Sequence, residues 1–130
     1  MILLDTHVVL WLISDPDRLS PKAKATIEGT RDKGEGLAIC DITLLELATL
    51  ASKGRINVAI NLESLLRELE HLFTVLPISS EACARSVQLP AGYPNDPADR
   101  IIGATALVEG LTLLTADREI RRSNAVRTIW

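Results

Sequence analysis

Apolar and polar residues follow two different periods along this chain. Short, largely apolar runs at residues 1–4, 37–40, 74–78 and 111–115 predict four buried strands, and a run at 125–129 predicts a fifth. Between these runs, apolar residues recur every three or four positions, which indicates helices. Apolar strands separated by helices are typical of a parallel sheet covered on both faces. We therefore expect an α/β protein with a three-layer α/β/α fold and a central parallel sheet of four to five strands.

Capping signals indicate where several of the predicted helices begin. Ser20-Pro21 and Asp96-Pro97 each place a capping side chain before a proline, which the first helical position tolerates. Thr43 and Glu46 have the spacing of a capping box, in which the threonine caps the helix and the glutamate lies in its first turn. No repeat or linker interrupts the pattern, so we expect one domain over residues 1–130.

Composition narrows the functional classes. The 47% hydrophobic content is enough for one continuous core. No apolar run approaches the roughly 20 residues that cross a bilayer, and no basic leader opens the chain, so we expect a cytoplasmic protein without membrane contact. Two distant cysteines and two histidines lack the spacing of a zinc site. The net charge of −3 argues against a broad basic face, so any binding of nucleic acid should be local.

Acidic residues follow several of the predicted strands. Asp5 closes the first strand, Asp41 follows the second and Asp117 follows the fourth. Because the carboxyl ends of parallel strands lie along one edge of a sheet, where ligands bind, we expect these side chains to meet. First turns of two predicted helices add three more acids at this edge: Glu46, Asp96 and Asp99.

Carboxylates that converge in this way require a cation. Each pair repels by about 4 kcal/mol at about 4 Å and an effective dielectric constant near 20. Oxygen ligands with few histidines favour Mg²⁺ or Mn²⁺ over zinc. Such an ion lowers the pKa of a coordinated water and draws charge from phosphate oxygens, and hydrolysis of a phosphodiester needs both effects.

Helix capping is the competing explanation for these acids taken one at a time. Asp96 has the position of an N-cap, Asp99 and Glu46 have those of first-turn acids, and Asp117 has that of a cap for a short helix. Asp5 is harder to explain, because capping does not require an acid at the end of an apolar strand. Capping also leaves unexplained why all these acids fall at one edge of the sheet.

Four segments resemble, in order and spacing, the motifs of the PIN-domain nucleases, and within that family those of the VapC toxins. They are residues 1–7, 42–47, 95–102 and 113–117, and the resemblance covers essentially the whole chain. It implies a toxin of a toxin–antitoxin system that acts as an Mg²⁺- or Mn²⁺-dependent endoribonuclease, a hydrolase of RNA. It further implies a homodimer and a cognate VapB-like antitoxin that also binds operator DNA.

The same resemblance assigns individual residues. Asp5, Glu46 and Asp99 would form the catalytic, metal-binding core, with Asp117 as the fourth acid and Asp96 as an auxiliary or capping residue. Two threonines beside these acids match hydroxyl positions of the family and are expected to bind substrate: Thr6 and Thr115. Two departures from the family pattern stand out: Asp41 replaces a small or hydroxyl residue, and Tyr93-Pro94 stands where a histidine often precedes the Asp-Pro motif.

Arginines near the predicted edge are candidates for binding phosphates that flank the scissile one. Arg100 and Arg118 are assigned to substrate binding, and Arg121 and Arg122 add charge nearby. A solvated helix face is the alternative interpretation of the same charges.

Three further residues receive a structural interpretation. Trp11 is assigned to the core, with a partner groove as the alternative. His7, one turn earlier, is read as structural rather than phosphate-binding. Gly103 lies one turn after Asp99 and is expected to let its helix pack close to the sheet. The 3% aromatic content argues against extended base stacking.

Two other functional classes remain open from the sequence. A receiver- or phosphatase-like domain also clusters aspartates at strand ends, but receivers place a lysine after a late strand, and here Leu114 is followed by Thr-Ala-Asp-Arg. A catalytically silent binding module is the second alternative, against which the presence of all four acids counts.

Overall fold

The computed structural model describes residues 1–56 and 59–130. In this part of the chain the strands are β1 (Ile2–Leu4), β2 (Leu37–Cys40), β3 (Thr74–Leu76), β4 (Leu113–Leu114) and β5 (Thr128–Ile129). The helices are α1 (Thr6–Ser14), α2 (Pro21–Asp32), α3 (Asp41–Ser52), α4 (Leu62–Leu72), α5 (Ser80–Ser86), α6 (Pro97–Glu109) and α7 (Arg118–Ser123), with a 3₁₀ turn at Pro16–Arg18.

The five strands form one parallel sheet in the order β3-β2-β1-β4-β5. The first strand is therefore central: Leu3 lies opposite Ala38 of β2 on one side and Leu113 of β4 on the other. This arrangement confirms the predicted α/β/α fold. Its functional consequence is that the chain leaves β1 and β4 side by side at the same edge of the sheet.

The core consists of one apolar layer on each face of the sheet. Successive residues of β1 divide between them: Leu4 packs with residues of α1 to α4, and Leu3 packs with residues of α6, α7 and the segment before α6. The alternation follows from the period of two along a strand. A strand with two buried faces must be apolar at every position, which is why the runs were recognisable in the sequence.

Helix ends agree with most of the predicted caps. The side chains of Ser20 and Asp96 accept hydrogen bonds from N–H groups three residues on, and Gly110 ends α6 in the left-handed conformation at φ 65°. The strand predicted at 111–115 is shorter than expected, because the Leu111 N–H donates to the carbonyl of Ala106 at 2.8 Å and so belongs to the end of α6. The runs predicted at 74–78 and 125–129 also pair over fewer residues.

The predicted capping box of α3 is wrong. The helix begins at Asp41, directly after β2, and its N-cap Cys40 makes no capping hydrogen bond through its side chain. Thr43 is therefore inside the first turn and Glu46 falls in the second. Thr43 is fully buried and, as described below, its hydroxyl contacts another threonine rather than the helix end.

Within the described residues, no helix combines the length and the apolar character needed to cross a membrane.

Candidate active site

Three of the predicted site acids line one cavity at the carboxyl edge of the sheet. Asp5 follows β1, Asp117 follows β4, and Asp99 is the third residue of α6. Their cavity has a volume of about 260 Å³, and three further residues complete its lining: His7, Trp11 and Ala116. Pairing of β1 with β4 places the first two acids together, and the start of α6 supplies the third.

Asp5 is buried and held by two donors. Its side chain is 5% exposed. The Thr6 N–H donates to Oδ1 at 2.8 Å, and the Thr115 hydroxyl donates to Oδ2 at 2.6 Å. Burial raises the pKa of Asp5, and these two hydrogen bonds oppose the rise. Asp5 is also the N-cap of α1, so capping does account in part for an acid at the end of the first strand.

Glu46 reaches the same edge from α3 through a pair of buried threonines. The Thr6 hydroxyl donates to Glu46 Oε1 at 2.6 Å and lies 3.0 Å from the Thr43 hydroxyl. Burial raises the pKa of Glu46, and the charges of Asp5 and Asp96 raise it further. Glu46 and Asp96 line a second groove, of about 440 Å³, that shares His7 with the first cavity.

Asp99 carries the largest electrostatic load among these acids. Its pKa is raised to about 7, first by burial and then by the negative charges of Asp5, Asp96, Glu46 and Asp117. The N–H of Asp99 donates to the Asp96 carboxylate at 3.0 Å, which fixes the first turn of α6. A carboxyl group that titrates near neutral pH in a cleft is a common feature of functional sites.

Tyr93 supports Asp99 from behind. It is 2% exposed, and its hydroxyl donates to the backbone carbonyl of Asp99 at 3.0 Å. A Cβ on Gly103 would meet the Tyr93 ring, with Cζ at 2.7 Å. Gly103 therefore makes room for a tyrosine and not, as expected from the sequence, for the sheet.

The two threonines predicted to bind substrate do not fit that role. Thr6 and Thr115 are 2% and 0% exposed, and their hydroxyls are bonded to Glu46 and Asp5. Thr115 Oγ1 also accepts the Asp117 N–H at 3.1 Å. Both residues orient acids and are closed to a substrate. The role of Thr43 was missed because nothing in its local sequence separates a buried network member from a cap.

The predicted phosphate-binding arginines separate into two groups. The Arg100 guanidinium donates to the carbonyls of Ser86 and Tyr93 and to the Asn95 side chain, so it ties α6 to the preceding segment instead of reaching the cavity. Arg118 directly follows Asp117 and is exposed. With two neighbours from α7 and with Thr128 it lines a depression of about 460 Å³: Arg121 and Arg122.

Asp41 lies at the same edge but outside the acid cavity. Its Oδ2 accepts the Ile78 N–H at 3.3 Å, which links the end of β2 to the chain after β3. Its Oδ1 is buried without a hydrogen-bond partner in the described part of the molecule.

The acids fit a divalent cation by charge and by donor type. Among residues 1–56 and 59–130, none of the four acids takes part in an ion pair, so their mutual repulsion is uncompensated. Their ligands are oxygens, which Mg²⁺ and Mn²⁺ prefer. Over the same ranges, no three acidic, histidine or cysteine side chains are already arranged to hold one ion. A cation would therefore have to draw the carboxylates closer together.

Comparison with known proteins gives concordant results. The family model described as PIN domain matches residues 2–125. Ribonuclease VapC22 of Mycobacterium tuberculosis (strain ATCC 25618 / H37Rv) is 42% identical over 132 residues, covering 99% of this chain and 98% of that protein.

Solved structures share the fold over the same length. A toxin-antitoxin complex from Klebsiella pneumoniae contains a chain 25% identical to this one, with a TM-score of 0.71 and coverage of 100% of this chain and 97% of the other. VapBC2 from Rickettsia felis, bound to a DNA fragment from its promoter, gives 22% identity, a TM-score of 0.76 and coverage of 100% and 99%. At that identity the second likeness shows the fold alone.

Proposed function

Because this chain belongs to the PIN-domain family, and within it to the group of the VapC ribonucleases, we propose that it is a metal-dependent endoribonuclease toxin. It hydrolyses RNA phosphodiester bonds and is neutralised by a cognate antitoxin. The observation that carries the proposal is the cavity lined by Asp5, Asp99 and Asp117, whose charges have no ion-pair partner in the described residues.

We propose that four acids hold the ion, Mg²⁺ or Mn²⁺: Asp5, Glu46, Asp99 and Asp117. When bound, such an ion supplies an activated water and withdraws charge from the phosphate. The chain itself contributes orientation. Thr115 and the Thr6 N–H hold both oxygens of Asp5, and the Thr6 hydroxyl holds Glu46. These donors stabilise the ionised carboxylates against the rise in pKa that burial causes.

Arg118, Arg121 and Arg122 are the arginines best placed to bind RNA. They lie on α7, which begins immediately after Asp117. Guanidinium groups bind phosphate oxygens in a fixed geometry and carry no base specificity, so this surface would position the strand. Arg100 is left out of this role because its guanidinium is bonded within the fold.

The partner of the toxin follows from its relatives. The similar chain from Klebsiella pneumoniae was solved in a toxin-antitoxin complex, which supports a cognate VapB-like antitoxin here. The homodimer stays a prediction from the family resemblance.

Two substitutions and a matched control test the proposal. Asp5→Asn and Asp99→Asn remove one negative charge each with little change in shape, and each should lower the cleavage rate by more than about 100-fold, since loss of an outer ligand contact alone costs roughly 10- to 100-fold. Asp41→Asn, at the same sheet edge but outside the cavity, should stay within a few-fold of the parent. The measurement is cleavage of total cellular RNA with Mg²⁺ or Mn²⁺ and with a chelator.

The controls separate the nuclease from a silent binding module. Circular dichroism and thermal melting must show that each variant is folded. If the folded parent protein binds Mn²⁺ and the antitoxin but cuts no RNA, the binding module is the correct function. Parental cleavage rates in Asp99→Asn would show that the acid assignment is wrong.

A further inference from the structure

Trp11 lies in the wall of the acid cavity. It belongs to α1, which begins beside Asp5, and it lines the cavity together with Asp99 and Asp117. One side of the indole packs against the core, and the residue is only partly buried. The assignment of Trp11 to the core from the sequence is therefore incomplete, because the residue contributes to the core and to the cavity.

The partly exposed aromatic residues of this chain are concentrated at this place. Of the four phenylalanine, tyrosine and tryptophan residues, Phe73 and Tyr93 are buried, whereas both tryptophans are partly exposed. Trp11 and Trp130 contact each other with ring centroids 5.7 Å apart, at an interplanar angle of 54°. The exposed imidazole of His7 lies 6.0 Å from Trp11 on the cavity side.

A cation completes the wall. The Arg18 guanidinium lies 4.7 Å from the centre of the Trp11 ring and is exposed. Within the described ranges it forms no ion pair. One side of the acid cavity therefore carries an aromatic surface and a free positive charge, which are the two features that bind single-stranded nucleic acid without base pairing.

Resting on the proposed function, we infer that Trp11 stacks against one unpaired nucleobase next to the phosphate that is cut. A phosphate held at the acids brings the base of an adjoining nucleotide to the cavity wall. A base inside a duplex is already stacked on both faces and cannot reach an indole without being extruded. The substrate class is consequently RNA with a single-stranded or looped segment at the cleavage site, and the acid cavity accepts one splayed base.

The two tryptophans make the inference measurable. Trp130→Phe leaves Trp11 as the only tryptophan of the chain, so intrinsic fluorescence reports on Trp11 alone. Combining this change with Asp99→Asn stops cleavage while Mg²⁺ is present. Three probes are titrated into this protein: a short single-stranded RNA of mixed sequence, the same strand annealed to its complement, and an abasic ribose-phosphate oligomer of equal length.

We expect the single-stranded RNA to quench Trp11, and the duplex and the abasic oligomer to have little effect. In the Asp99→Asn background, Trp11→Leu should raise the Kd for single-stranded RNA about 10-fold, the scale of one lost stacking contact, and leave the Kd for the abasic oligomer unchanged. Trp11→Phe should keep most of the affinity, because a smaller ring still stacks. Trp11→Leu must be shown to be folded, and Trp11→Phe keeps the test valid if it is not.

Two results would overturn the inference. If Trp11→Leu or, failing that, Trp11→Phe weakens binding of the single-stranded and abasic probes equally, or of neither, Trp11 has only a structural role. Should the parent protein cut RNA while its Trp11 variants keep the parental KM, stacking is wrong and the nuclease stands. A parent protein that neither binds nor cuts RNA would end both proposals.

Discussion

The charge of Asp5 depends on one side-chain donor that comes from far along the chain. The Thr115 hydroxyl and Asp5 are 110 residues apart in sequence and 2.6 Å apart in the fold. The other donor to Asp5, the Thr6 N–H, belongs to the backbone and persists in every variant. Because Asp5 is buried away from water, loss of the hydroxyl removes solvation that nothing else in its surroundings replaces.

Thr115→Val should therefore destabilise the protein and weaken the site. Valine keeps the shape of threonine but cannot donate, so we expect the free energy of unfolding to fall by about 1.5–3 kcal/mol, as for hydrogen bonds to charged groups. Affinity for Mn²⁺ should fall as well, since the pKa of Asp5 rises further. Urea denaturation and a Mn²⁺ titration at neutral pH measure the two effects.

Thr30→Val is the matched control for this change. Thr30 is also buried, but its hydroxyl donates only to the Thr26 carbonyl of its own helix. The cost should be about 0.5 kcal/mol or less, because such back-bonding adds little to a helix. Equal losses in the two variants would mean that Thr115 does not stabilise the charge of Asp5.

The first two turns of α6 hold Asp99 in place through three different contacts. Asp96 caps the helix, the Tyr93 hydroxyl binds the Asp99 carbonyl, and Gly103 leaves space for the tyrosine ring. Helix start, buried aromatic and glycine thus act as a unit. A change at Gly103 is transmitted to Asp99 through Tyr93.

Gly103→Ala tests this unit. Its Cβ would fall within 2.7 Å of Tyr93 Cζ, and a tyrosine that is 2% exposed has no room to withdraw. We expect a loss of about 1–3 kcal/mol in the free energy of unfolding, as for overpacked cores, and weaker Mn²⁺ binding. Denaturation and metal titration are again the measurements.

Gly29→Ala provides the opposite expectation in the same protein. Gly29 lies within α2, and a Cβ there meets nothing within 4 Å. Alanine should raise the free energy of unfolding by about 0.5–1 kcal/mol, because glycine loses more conformational entropy in a helix. Stabilisation at both glycines would disprove the seating of Tyr93 against α6.

At the scale of the whole molecule, the topology gathers negative charge that the composition does not reveal. A net charge of −3 is modest for 130 residues, yet the sheet order brings acids from separate parts of the chain into two adjoining clefts. The pKa values of Asp5, Glu46 and Asp99 are all raised in the folded protein. The ionised cluster is therefore a source of instability until a cation binds.

This arrangement predicts a pH dependence with a definite sign. Asp99 titrates at its model value of 3.8 when unfolded and at about 7 when folded. Between these values the folded protein binds more protons, so the metal-free protein should lose stability as pH rises from about 4 to about 7. Added Mg²⁺ should stabilise more at high pH, where the acids are ionised. Denaturant unfolding with a chelator and with Mg²⁺, across this range, measures both trends.

Asp99→Asn should flatten the metal-free profile relative to the parent. Asp17→Asn, at an exposed residue outside the cluster that pairs with Lys24 at 3.8 Å, should leave its slope unchanged. If the difference between parent and Asp99→Asn does not vary with pH, the folded-state pKa of Asp99 is not raised.

Local physics made much of this architecture readable before the fold was known. Doubly buried strands must be apolar throughout, so β1 and β2 were recognisable as strands. Ser20-Pro21, Asp96-Pro97 and Gly110 mark helix ends because capping is decided by neighbours within a few residues. The strand ends of a parallel sheet share an edge, so the meeting of Asp5 and Asp117 followed from element order alone.

The predictions that failed concern contacts with no local trace. The Thr43–Glu46 spacing suits a cap and equally suits the buried network with Thr6. Arg100 is an arginine near the edge in sequence, but nearby carbonyls bind its guanidinium. Trp11 has the helical spacing of a core residue, and only its neighbours across the cavity show its second exposure.

The sequence by itself determined the element types, most of their ends and the side of the sheet on which the acids lie, because these depend on interactions between residues close in the chain or on strand direction. Only the tertiary structure decided which acids share a cavity, which hydroxyls hold them and which aromatic ring faces them. Those outcomes depend on distances of a few ångströms between segments as far apart as Asp5 and Thr115, and packing of the whole core sets such distances.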